Sequence, residues 1–279
     1  MNKGYIKIAL ALLSVAGYMQ NMAFASDSTP SPNSPNEEAI QQLYIDPKEA
    51  KQASDIMTEA LDFAQKHAEH TNDYKEYSKQ DGVVLYFKKF KDTEIGKLEL
   101  TIPNPDSYDD VVSMLWDPNG AKNFDDKFIK GSIYRVYDQN LVIIQQRYKS
   151  LIRSWQRYYH ALANKIELSK NKTAIVLVSS DMNDHDGGKN KKYVNPFVES
   201  ANSFKPDIDS EEDIRNGDLY KMYINLVAFF IEKEADCVKV TYVSSIDPNA
   251  PYLTPASFIK KIIVKKILTL VKLKDIFKK

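Results

Sequence analysis

Trp155, Arg157 and Tyr159 are the residues whose types and spacing come nearest to a binding chemistry. If Arg153 to Tyr159 is extended, the two-residue period of a strand places all three on one face. Aromatic rings attract a quaternary ammonium, and a guanidinium grips a phosphate through parallel hydrogen bonds, so the trio could hold a zwitterionic head group. The same pattern also fits a half-buried strand with snorkelling arginines. Covalent chemistry has no comparable signal. His67 and His70 stand three apart on a helical pattern, but no cysteine or further histidine converges on them, so they read as a solvated pair. Asp181, Asn183, Asp184 and Asp186 have the composition of a calcium loop without its glycine and glutamate register, and read as a polar turn. No nucleophile elbow, phosphate loop, dinucleotide fingerprint or zinc-protease motif occurs. No catalytic residue, metal or cofactor is assigned.

The elements that must position these side chains alternate in a simple order. Asp46-Pro47-Lys48-Glu49 combines an N-cap, a proline at the first helical position and a capping-box acid, and predicts a helix to about His70. Its apolar residues Ala53, Ile56, Met57, Ala60, Leu61, Phe63 and Ala64 recur at three- and four-residue spacing. Gly82–Phe87 and Leu98–Thr101 read as a hairpin turning near Lys91–Glu94, and Asn104-Pro105-Asp106 starts a second helix to Leu115 or Trp116. Strand patterns follow at Ser132–Asp138, Leu141–Tyr148, Arg157–Leu168, Thr173–Ser180, Tyr220–Glu232 and Cys237–Ser245. The polar stretch 181–219 between them reads as an insertion. Thr254-Pro255 opens a last helix running nearly to the C-terminus. Strands joined by short turns, with helices segregated at the ends, make an α+β arrangement around one antiparallel sheet.

Residues 1–25 read as a secretory signal peptide, with Lys3 and Lys7 before an apolar run and Ala23-Phe24-Ala25 as the cleavage pattern. Residues 26–45, rich in Pro, Ser and acid, read as a disordered tether, which leaves 46–279 as the folded domain. Cys237, the only cysteine, has no partner for an intrachain disulfide and reads as a small buried hydrophobe. The 38 basic and 38 acidic side chains cancel, which excludes a protein that coats nucleic acid through a global positive excess.

That zero conceals a local charge. Between Thr254 and Lys279 eight lysines stand against one acid, Asp275, so the rest of the chain is net acidic. On a helical wheel Phe258, Ile259, Ile262, Ile263, Leu270, Leu273, Ile276 and Phe277 form one broad apolar face, with Val264, Ile267, Leu268 and Val271 as a second patch on the lysine side. Two apolar faces suit a helix that closes a cavity from one side and meets an anionic membrane from the other. They also suit a helix covered by strands on both.

The element order, Lys122-Asn123-Phe124-Asp125, the segment Arg153–His160 and the run from Tyr242 through Asp247-Pro248 to Pro251 together resemble the START lipid-transfer domain over about Asp46 to Lys279. With its leader, tether, Ile40-Gln41-Gln42-Leu43-Tyr44 and Lys/Ile-rich end, the chain is similar to the secreted START proteins of the malaria-parasite fam-a family. Phe124 stands where many START domains carry tryptophan, and Asn249-Ala250-Pro251-Tyr252-Leu253 replaces a Gly-Gly-x-Ile-Pro lead-in. The resemblance implies a helix-grip fold, in which a curved antiparallel sheet wraps a long C-terminal helix and encloses a lipid cavity. It implies non-enzymatic transfer of a phospholipid, with phosphatidylcholine favoured, by a monomer that touches anionic membranes transiently and binds no nucleic acid. Lys122, Arg147 and Arg157 are then the candidates for the phosphate, and Tyr148, Trp155 and Tyr159 for the choline. Phe258, Ile259, Ile262 and Ile263 are candidates for the cavity or gate helix, and Lys260, Lys261, Lys265, Lys266 and Lys272 for membrane docking. The implied destination is the parasitophorous vacuole or the host red cell, although no R-x-L-x-E/Q/D export motif occurs. The alternative is a membrane- or host-interaction protein that uses the basic helix and transfers nothing.

Overall fold

A computed structural model of the chain describes residues 46–150, 155–188, 192–251 and 253–278. The leader and tether expected in 1–45 lie outside the described residues, and the compact unit considered below runs from Asp46 to Lys279. Helix α1, Pro47–Glu69, begins as its capping residues require, with the Asp46 side chain accepting from the Lys48 amide at 2.9 Å. Ala53, Ile56, Met57, Ala60 and Ala64 form its buried stripe. Glu49 does not close a capping box. It accepts instead from Arg135 at 2.5 Å and from the Tyr137 hydroxyl, pinning the first turn to a distant strand.

The strands are β1 Lys75–Gln80, β2 Val83–Phe90, β3 Thr93–Ile102, β4 Phe128–Asp138, β5 Leu141–Lys149, β6 Gln156–Ser169, β7 Lys172–Val178, β8 Tyr220–Lys221, β9 Tyr223–Lys233 and β10 Val238–Asp247. Nine of them form one antiparallel sheet in the order β1-β2-β3-β10-β9-β7-β6-β5-β4, and β8 pairs in parallel with β6. The pairing of β10 with β3, Val240 opposite Leu100, ties the two ends of the domain together. Strand β1 has no counterpart in the sequence reading because Lys-Glu-Tyr-Ser-Lys-Gln offers no apolar alternation, and all six residues are exposed on the sheet edge. Asp81 and Gly82, both at positive φ, make the two-residue turn into β2.

Helix α2, Tyr108–Trp116, follows a 3₁₀ turn at Pro105–Ser107 whose first amides are capped by Asn104. A short α3, Glu212–Arg215, lies within the 181–219 insertion. The expected last helix is two helices, α4 Ala256–Leu268 and α5 Lys272–Ile276, joined by a 3₁₀ turn at Thr269–Val271. The sheet buries both faces. Against one, Ile143, Leu162, Val176 and Ala228 pack on α1 and on Phe197, Phe204 and Ile208 of the insertion. Against the other, Ile144, Ala161, Ile175, Phe229 and Tyr242 pack under α2, α4 and α5.

The wheel drawn for the last helix is corrected in one respect. Val264 and Ile267, which it put on the lysine side, are the buried positions of α4, whereas Phe258 is 40% exposed. The physical reason is the surface that α4 meets: Val264 and Ile267 join the core cluster with Leu85, Leu98, Phe229 and Tyr242 of the sheet, a constraint that a wheel drawn from the helix alone does not contain. Gly96 lets α4 settle: a Cβ there would come within 2.7 Å of Ile267 Cδ1.

Candidate functional site

Between α4 and the sheet lie two adjoining cavities of about 100 and about 150 Å³. The inner one is walled by α2, β5, β6, β7, β9 and β10 through residues such as Leu115, Ile144, Ala163, Ile175, Val227 and Phe229. The outer one lies under the first half of α4, against Ile259, Ile262, Ile263, Pro248 and Pro251, and reaches Lys149, Ser150 and Arg157. Tyr148, Met222, Ile246, Lys266 and Thr269 line both and form the partition between them. Each cavity is smaller than the roughly 300–1,000 Å³ usual for a ligand pocket, so α4 must shift outward for a lipid-sized guest to enter.

The partition carries charge. The Lys266 ammonium pairs with the carboxylate of Asp125, which is 2% exposed, and sits 3.6 Å from the centroid of the Tyr148 ring. About a third of the Lys266 side chain is accessible, 32%, but that surface faces the cavities. Burial therefore lowers the pKa of Lys266, and Asp125 acts against that shift. Asp125 is held by the turn after α2, where its other oxygen accepts from the Lys127 amide at 2.9 Å. On the facing wall Gln146 Oε1 accepts from the hydroxyls of Tyr148 at 2.7 Å and Tyr159 at 2.5 Å, while Gln146 Nε2 donates to the Pro118 carbonyl at 2.6 Å. Burial raises the pKa of both tyrosines, so they remain neutral donors.

The structure brings together part of the set expected from sequence. Tyr148 and Tyr159 stack in the inner cavity, centroids 6.4 Å apart, and Arg157 lines the outer one while donating to the Pro248 carbonyl. Trp155 stacks on Tyr220 at 4.5 Å, with Arg157 over the same ring, and lines neither cavity. Lys122 is exposed on a 3₁₀ turn away from both. Arg147 is buried on the opposite sheet face, paired with Glu211 and Asp213, because it alternates with Gln146 and Tyr148 along β5. Of the gate residues, Ile259, Ile262 and Ile263 line the outer cavity and Phe258 does not. Of the docking lysines, Lys261, Lys265 and Lys272 are exposed, Lys260 pairs with Glu94 at 2.7 Å, and Lys266 points inward.

Sequence reasoning missed Asp125, Gln146, Met222 and the inward turn of Lys266. Asp125 had a signal in the Lys122–Asp125 run; the lysine had none, since it is one of eight on a basic helix.

A second polar cluster lies across the sheet. Asp184, 2% exposed, accepts from Lys221 at 2.6 Å, His160 at 3.1 Å and Tyr158 at 3.2 Å. Burial alone would raise its pKa, but the His160 hydrogen bond and the Lys221 ammonium bring it down to about 2. Burial lowers the pKa of His160, so the imidazole is neutral. Neither cavity on the α4 side touches this group. The one arrangement that could hold a metal among the described residues is Glu234, Asp236 and Cys237 in the β9–β10 turn, whose thiol is pushed up to about 11 by burial and the two carboxylates.

No protein-family model matches this sequence, and no curated protein does. Solved structures do match it. Human StAR-related lipid transfer protein 5 superposes with a TM-score of 0.56 at 11% identity, over 81% of this chain and 97% of that one. Human STARD10 gives 0.54 at 12% identity, over 76% and 78%. A STAR-related lipid transfer protein fragment from Xanthomonas axonopodis gives 0.51 at 12%, over 75% and 100%. The architecture is therefore the helix-grip START fold expected from the sequence, with the last helix in two pieces.

Proposed function

We propose that the protein is a non-enzymatic carrier that takes a phospholipid, phosphatidylcholine in the favoured case, from one membrane and releases it at another. One observation carries the reading: an apolar space between the sheet and α4 that holds, among the described residues, the buried Asp125–Lys266 ion pair. Such a space suits acyl chains with a polar anchor. The fold shared with StAR-related lipid transfer proteins supports it. So does the burial of the His160–Asp184 group, which keeps that imidazole and carboxylate out of both cavities.

Loading requires α4 to swing about the Thr269–Val271 turn. Its lever is lightly held: only Val264 and Ile267 are buried along its 13 residues, while α5 is fixed by Leu273, by Lys274 on the Asp81 carbonyl and by Asn104 on Phe277. The exposed residues Leu253, Phe258 and Leu268, beside Lys261 and Lys265, would meet an anionic bilayer as α4 opens. We place the carrier outside the cell that makes it, by the leader read in residues 1–25.

The test is native mass spectrometry of the full chain after incubation with vesicles, with transfer of labelled phosphatidylcholine followed in parallel. Co-purifying phospholipid and protein-dependent transfer are expected, and replacing Lys261, Lys265 and Lys272 with Glu should slow transfer from anionic donors. Vesicle binding without lipid uptake would point to an interaction protein that keeps the fold and carries nothing.

A further inference from the structure

The ion pair on the partition is more specific than a carrier of any lipid needs. Among the described residues Lys266 is the only cation lining the inner cavity, and its resting counterion, Asp125, lines the outer one, where the Arg157 guanidinium is already engaged by the Pro248 carbonyl. The pair is thus a neutral unit placed where a ligand's polar end must pass. Its ammonium already occupies a cation site, 3.6 Å from the Tyr148 ring centroid, with Tyr159 stacked behind.

Charge conservation decides which ligand can open such a pair. A purely anionic head group would take Lys266 and leave the buried Asp125 carboxylate without its ammonium, and a purely cationic one would strand Lys266. A neutral lipid offers neither ion a partner, so the pair and the partition stay closed. A zwitterion offers both. Its phosphate can accept from Lys266 while its ammonium replaces the lysine beside Asp125 and over Tyr148, and no buried charge is left alone. We infer that Asp125, Lys266 and Tyr148 form a head-group site that selects zwitterionic phospholipids by exchanging an internal ion pair for the two charges of the ligand.

This inference rests on the carrier reading and can fail separately from it. The full chain is incubated with vesicles containing equal amounts of phosphatidylcholine, phosphatidylglycerol and diacylglycerol, and the bound lipid is identified by native mass spectrometry. The wild type should load phosphatidylcholine at least about tenfold over phosphatidylglycerol, the ratio that one stranded buried charge implies. Asp125→Asn, which removes the site's own anion, should reverse or abolish that preference while lipid is still bound. Lys266→Met should lower phosphatidylcholine loading by about tenfold. Asp125→Asn/Lys266→Met leaves no buried charge unpaired, and should load lipid without discrimination. It decides the case if a single variant does not fold. Lipid loading with the same preference in the wild type and the double variant overturns this inference alone. A wild type that takes up no lipid overturns the carrier reading and this inference together.

Discussion

Strands β5 and β6 carry a buried polar cluster on each face, and the two differ in what lies beside them. On one face Asp184 is surrounded by His160, Lys221 and Tyr158, with Asp186 taking a second bond from Tyr158 at 2.5 Å; every partner is protein. On the other, Asp125 and Lys266 have each other, the Tyr148 ring and a cavity. The first cluster joins the 181–219 insertion to the sheet, and its Asp184, His160, Lys221 and Tyr158 are at most 6% exposed. The second holds a charge pair against open volume, where a ligand can compete for both members. Buried ions therefore do opposite jobs a sheet's thickness apart: a closed network fixes geometry, and an open one can be exchanged.

The sharpest way to break this comparison is to remove the central carboxylate of the closed cluster. Asp184→Ala strands His160 and Lys221 and should cost about 3–5 kcal/mol in urea unfolding. A loss no larger than that of an average surface substitution would mean that the cluster is wetter than its burial implies. On the cavity side, Gly96→Ala forces Ile267 away from β3. It should cost about 1–3 kcal/mol and increase amide hydrogen exchange in α4 more than in α1.

Acid should weaken the closed cluster in stages. His160 and His67 have lowered pKa values, the latter about 4, so below their ordinary value near 6.5 the unfolded chain binds protons that the folded one refuses. Stability is full above about pH 6.5 and falls as pH drops through that window. A second fall follows between pH 3.8 and about 2, as Asp184 loses the charge its partners stabilise. Urea midpoints measured from pH 7 to pH 2, with His160→Gln flattening part of the first stage, check the assignment. The smallest effect belongs to the open cluster: Asp125→Asn/Lys266→Met should leave stability within about 1 kcal/mol of wild type, because it removes both buried charges together while the Asn oxygen can still accept from the Lys127 amide.

Much of the framework could be read from local pattern. The α1 cap at Asp46-Pro47, the β2–β3 hairpin and the later strands stand where capping chemistry, strand periodicity and turn residues put them, except that the expected Tyr220–Glu232 strand is two, β8 on β6 and β9 in the main sheet. What failed, failed for identifiable reasons. Strand β1 has no buried face and so no alternation to detect. Glu49 found a partner 86 residues away instead of its own helix terminus. Arg147 was a candidate for the phosphate and Tyr148 for the choline of one head group, but successive strand residues face opposite ways, and the structure sends one to Glu211 and Asp213 and the other to the cavity.

The eight lysines of the last helices show the limit most clearly. Their density could be counted from the chain, and with it the concentrated positive charge at one end of an otherwise acidic molecule. That Lys266 turns inward, while Lys261 and Lys265 stay in solvent, was settled only by packing. The outcome depends on where Asp125, 141 residues earlier, is held by the turn after α2, and on the face of α4 that Val264 and Ile267 turn to the sheet. Composition and short-range periodicity determined the elements, the sheet class and the polarity of the chain, because those follow from interactions over a few residues. The pairing of charges across the cavity came from tertiary structure alone, because a buried ion finds its partner by proximity in space and not in sequence.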